Sequence, residues 1–147
     1  MLSSIHLHIA AALIARVFLG LLFFFQGFDA VFRVKVRGVV QLFEEGLSSR
    51  GVSSIFIRLG AYFTSYTELV GGLLLIVGFV KYYALYILGI DLLVVAVAFG
   101  ILKPMWDLSH VFPRLVLVLF LLLIPSQWDV ISADYCWSLI KFIHHFN

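Results

Sequence analysis

From Ile9 to Phe28 the chain runs for twenty residues with a single formal charge, Arg16. A bilayer core about 30 Å thick takes about 20 apolar residues in a helix, so this stretch is long enough to cross one. Similar runs recur, and spans are expected at about 9–28, 59–77, 83–102 and 109–125. The fourth is the shortest on strict apolarity, Val111 to Ile124. Trp106 and Trp128 flank it and mark its ends, because indole rings favour the headgroup level. Gly78 to Tyr82 reads as a tight turn, since glycine serves well just past a helix end. Met1 to His8 carries no Lys or Arg and the apolar run continues through Phe23, Phe24 and Phe25. The first span therefore reads as a retained helix rather than a signal peptide.

A soluble alternative fails on area. Hydrophobic residues make up 63% of the chain and charged ones 12%, against about 45–50% and about 25% in soluble domains. A water-soluble fold of this length has nowhere to put so much apolar surface. The expected fold is all-α: one membrane domain over 1–147, a four-helix integral membrane bundle with an amphipathic loop segment and a C-terminal interfacial helix. The loop segment falls at about 38–48, with Val39, Val40, Leu42, Phe43 and Leu47 near one side and Glu44 and Glu45 opposite. The C-terminal one, about 130–146, repeats Val130, Ala133, Cys136, Trp137, Ile140 and Ile143 at helical spacing. Both are expected to lie in the interface plane or to cover the bundle.

Orientation follows from basic residues in short loops. The first loop carries Arg33, Lys35, Arg37, Arg50 and Arg58, and Lys103 and Arg114 lie near the third. The opposite side has Lys81 and Lys141. Both termini are thus expected outside the cytoplasm, in a protein of the bacterial inner (cytoplasmic) membrane.

Several chemistries are poorly supported. A net charge of +2 without a basic run argues against nucleic acid. Cys136 is the sole cysteine, which leaves no disulfide framework and no thiolate cage. Membrane haem needs two histidines facing each other from different helices, whereas His6, His8, His144 and His145 lie in the termini and only His110 borders a span. His144 and His145 are adjacent and point to different helix faces, so no metal site is expected.

The residues able to carry chemistry are the ionisable ones inside the spans, each costing at least a few kcal/mol unless paired or solvated. These are Arg16, Glu68 and Asp91. Glu68 and Asp91 fall near the midplane; Arg16 lies nearer the outer surface, where Asp129 matches its height. Asp29, His110 and Arg114 are expected to form a second, wetter polar cluster at the inner edge. Arg16, Gly20 and Gly27 share one helical stripe, as do Thr64, Glu68 and Gly72, with Gly71 beside them. Small residues so spaced let helices approach closely in lipid. Three readings stand: a structural pairing of Arg16 with Asp129 or Glu68, a quinone or proton site at Glu68 and Asp91, or exposure at an oligomer interface.

The motifs Arg16-x-x-x-Gly20, Gly27 after the Phe-rich stretch, and Phe43-x-x-x-Leu47-x-x-x-Gly51-Val52 resemble the first half of DoxX family membrane proteins. Glu68-x-x-Gly71-Gly72-Leu73-x-Leu75-x-x-Gly78 is similar to that family's helix-two signature, and Ser126-Gln127-Trp128-Asp129 to its closing turn. The resemblance implies a four-helix membrane subunit, in a family whose namesake members serve a thiosulfate:quinone oxidoreductase. It leads to the expectation of a small accessory subunit, not catalytic alone, that anchors or serves a quinone-linked oxidoreductase assembly among membrane lipids. A quinone is the one cofactor that the resemblance brings into consideration. The alternatives are a non-catalytic scaffold in a larger secretion or transport complex, and a bundle that handles lipids or small molecules.

Overall fold

The computed structural model describes residues 2–102 and 111–145, including their side chains except those of residues 2–4, 126, 144 and 145. It is all-α, with no strand among the described residues. Helix α1 (Leu2–Phe28) continues through a π-helical turn, Asp29–Arg33, and breaks at Lys35, whose φ of 60° lies in the left-handed region. There follow α2 (Lys35–Leu47), α3 (Ser54–Val77), α4 (Lys81–Leu102), α5 (Val111–Leu123) and α6 (Ala133–His145). At about 1.5 Å per residue, the 27, 24 and 22 residues of α1, α3 and α4 each exceed a bilayer core. The 13 described residues of α5 make about 20 Å. Lys103, Trp106 and His110 lie outside the described residues.

Boundaries shift outward from the sequence expectation. Helix α3 begins at Ser54 rather than near 59 and α4 at Lys81 rather than 83. The reason is that hydrogen bonding, not apolarity, ends a helix. Ser53 adopts an extended conformation before α3, and Gly78, at φ 73°, closes it with N–H donation to the carbonyls of Leu74 and Leu75.

The bundle inverts the soluble pattern. Ile14, Phe18, Leu21 and Phe25 form an exposed stripe on α1, and Tyr83, Ile87, Ile90 and Val97 one on α4. With backbone polar groups satisfied within the helices, such faces suit lipid. Inside, Leu19, Phe23, Leu75, Leu85, Leu88 and Val118 make the apolar core. The tightest seam runs between α1 and α3. A Cβ on Gly72 would fall on the Phe24 backbone, one on Gly27 on the Leu69 backbone, and one on Gly20 would sit 2.9 Å from the Ile76 nitrogen. Gly71 faces α4 instead, against Leu88. The bulk of α2 packs on α3, and its Phe43 ring lies 5.9 Å from Phe99 on α4.

Candidate functional site

Two buried polar layers cross this apolar bundle. The first lies at the α3–α4 turn. Arg16, 1% exposed, donates from Nη1 to the carbonyls of Leu75 (2.7 Å) and Ile76 (3.3 Å) and from Nη2 to that of Ile131 (2.6 Å). The last carbonyls of a helix lack intrahelical donors, and the guanidinium supplies them for α3. Its Nε lies 3.2 Å from Asp129 Oδ1, while Lys81 Nζ lies 2.9 Å from Asp129 Oδ2. Asp134 accepts the N–H of Val80 (2.8 Å) and of Lys81 (2.9 Å), and its own N–H donates to the Gly78 carbonyl (3.0 Å). It thereby holds Val80 at φ 49°, a conformation that a β-branched residue rarely takes. Arg16 and Lys81 thus share Asp129, while Asp134 is held by backbone N–H groups. Next to this layer Trp128 stacks on His8 with centroids 4.3 Å apart.

The second layer lies deeper. Glu68 on α3 and Asp91 on α4 are nine and ten residues from the ends that meet at this turn, about 15 Å along their helices. Gln26 Nε2 donates to Glu68 Oε1 at 2.6 Å, and Arg114 Nη1 on α5 donates to Gln26 Oε1. A guanidinium can only donate, so the amide must turn its oxygen to Arg114 and its NH2 to Glu68. Positive charge from Arg114 is relayed to Glu68 through Gln26. Asp91 is fully buried, and neither of its carboxyl oxygens has a hydrogen-bond partner. It lies within electrostatic reach of both Glu68 and Arg114.

Of the two partners considered for Arg16, the structure places Asp129 against it and gives Glu68 to Gln26 instead. The expected inner-edge cluster of Asp29, His110 and Arg114 is not found as one group. Asp29 pairs with exposed Arg33 at 3.1 Å, one helical turn away, and Arg114 turns inward to Gln26. His110 is outside the described residues. Asp29 lies about 200° round α1 from the stripe of Arg16, Gly20 and Gly27, and so faces outward. Sequence reasoning missed Gln26, Lys81 and Asp134. Gln26 was legible as the one uncharged amide inside an apolar run. Lys81 reads as a loop cation until Asp129 is brought beside it.

An apolar groove of about 170 Å³ opens between α2, α3 and α4, lined among others by Phe43, Phe56, Gly60, Thr64, Val94 and Val95. Thr64 is one helical turn from Glu68, and Val94 and Val95 are one turn from Asp91. No group of three or more metal-ligating side chains occurs among the described residues.

No curated protein and no solved structure matches the chain. The DoxX family model matches residues 11–101, a stretch that takes in Arg16, Gln26, Glu68 and Asp91 from both layers and exceeds half the chain. This chain is an integral membrane protein that belongs to the DoxX family.

Proposed function

We propose that this protein is a small accessory subunit that anchors or serves a quinone-linked oxidoreductase assembly in the inner (cytoplasmic) membrane, with both termini outside the cytoplasm. The observation that carries the reading is the inner polar layer. It sets two carboxyl groups, an amide and a guanidinium inside the apolar part of the bundle, a turn away from a groove suited to an apolar ring or tail. A quinone resides in that same apolar medium and exchanges protons when its redox state changes, so the layer offers the polar contacts its headgroup needs. Gln26 and Arg114, which link Glu68 to the partly exposed rim, do not ferry protons. The electron chemistry is therefore assigned to the partner, and the role of this chain to positioning and anchoring.

The test is purification in mild detergent with mass spectrometry of what accompanies the chain, followed by quinone turnover of the isolated assembly. A redox partner whose turnover falls when this subunit is deleted supports the proposal. Copurifying partners without any redox activity point to the second reading, a non-catalytic scaffold, which the ion-paired Arg16–Asp129–Lys81 layer favours. Glu68→Gln separates serving from anchoring. Under anchoring alone, assembly and turnover both survive it; an assembled complex that has lost quinone turnover makes Glu68 a participant.

A further inference from the structure

The two polar layers differ in charge balance. At the α3–α4 turn two cations, Arg16 and Lys81, share the carboxylate of Asp129, and the Asp134 carboxylate lies beside them on the backbone N–H groups of Val80 and Lys81. In the deeper layer, Arg114 is the one cation among the described residues that acts on Glu68, through Gln26, and on Asp91. With every group ionised, that layer is one positive charge short, in a place where an uncompensated charge is costly. From α3 the charged group within electrostatic reach of Asp91 is Glu68, and from α5 it is Arg114. Helix α2, which also packs on α4, directs Glu44 to Arg58 at 3.8 Å and leaves its own cations, Lys35 and Arg37, exposed. On α1, Gln26 is committed to Glu68 and Arg114.

The hydrogen bonding decides where the missing charge belongs. Glu68 receives the Gln26 amide donor, itself polarised by Arg114, as suits a carboxylate. Asp91 receives no donor on either oxygen. As an anion it would be buried without compensation, whereas as a carboxylic acid it leaves only dipoles to bury. An alkali cation is less suited: it takes several oxygen ligands, and here the Gln26 carbonyl oxygen is already given to Arg114.

We propose that the inner polar layer binds one proton on Asp91, which is held as an uncharged carboxylic acid beside the Glu68–Gln26–Arg114 relay. This does not depend on any redox partner, and its test uses the isolated chain.

Infrared spectra of the full chain in lipid nanodiscs at neutral pH are expected to show the carbonyl stretch of a protonated carboxylic acid. Incorporation of 13C-labelled aspartate should shift that band to lower frequency, with no mutation needed. Asp91→Asn should remove it, and Arg114→Gln, which strips the layer of its cation, should roughly double its intensity. Absence of the band from the wild-type chain, or a band unmoved by labelled aspartate, overturns the proposal. So does a band that disappears on adding sodium at constant pH, because the bound charge would then be a metal ion.

Discussion

Arg16 Nε meets Asp129 Oδ1 at 3.2 Å, joining the first span to the segment that follows the last and shutting one end of the bundle. Asp129 also holds Lys81, so the three side chains are not equivalent. Asp129→Ala leaves two buried cations facing each other and is expected to be the most damaging single change, with a loss of about 3–5 kcal/mol. Arg16→Ala also deprives the Ile76 and Ile131 carbonyls of the guanidinium donor and leaves Leu75 with the Gly78 N–H alone. Combined, Arg16→Ala and Asp129→Ala should cost clearly less than the sum of the two. Thermal melting in detergent of both singles and the double measures this, and strictly additive losses would remove the pair from the account.

The glycine seam predicts a sharp contrast between positions. Gly72→Ala and Gly27→Ala place a Cβ on the backbone of the facing helix, where no side chain can rotate away. Each is expected to cost about 1–3 kcal/mol, as overpacking does. Gly60→Ala meets nothing within 4 Å and should be neutral, or stabilise by up to about 1 kcal/mol through helix propensity. Melting of the three variants side by side checks the ordering.

Asp134 and Val80 should be coupled. Removing the carboxylate that fixes the turn, Asp134→Ala, is expected to cost about 1 kcal/mol, as loss of a helix cap does. Val80→Gly relieves the backbone at φ 49°, because glycine takes positive φ freely. The double variant should therefore lose less stability than Asp134→Ala alone. An equal or greater loss would show that the turn is held by something other than Asp134.

The proposed orientation rests on the basic loop after α1 and can be read directly. A reporter active only in the cytoplasm should work when inserted near Arg50 and fail when fused after Asn147. The opposite result reverses the orientation and leaves the helices untouched.

What the sequence determined by itself was the class of fold and the family. Runs such as Ile9–Phe28 cannot be placed in water, and the pattern Glu68-x-x-Gly71-Gly72 through Gly78 is local, so both are visible in one dimension. The stripe shared by Arg16, Gly20 and Gly27 also follows from helical pitch alone. Which groups face one another was decided by tertiary structure. Apolar periodicity says that Glu68 points inward, but not that Gln26 from α1 reaches it with its amide oriented by Arg114 from α5. It cannot reveal that Asp91 is left without a donor, since an unpartnered atom is a property of everything around it. Asp29, by contrast, is placed by helical pitch alone, about 200° round α1 from the buried stripe. In a membrane bundle the apolar surface fixes that helices form, while the few polar contacts, each far apart in sequence, fix how they are arranged.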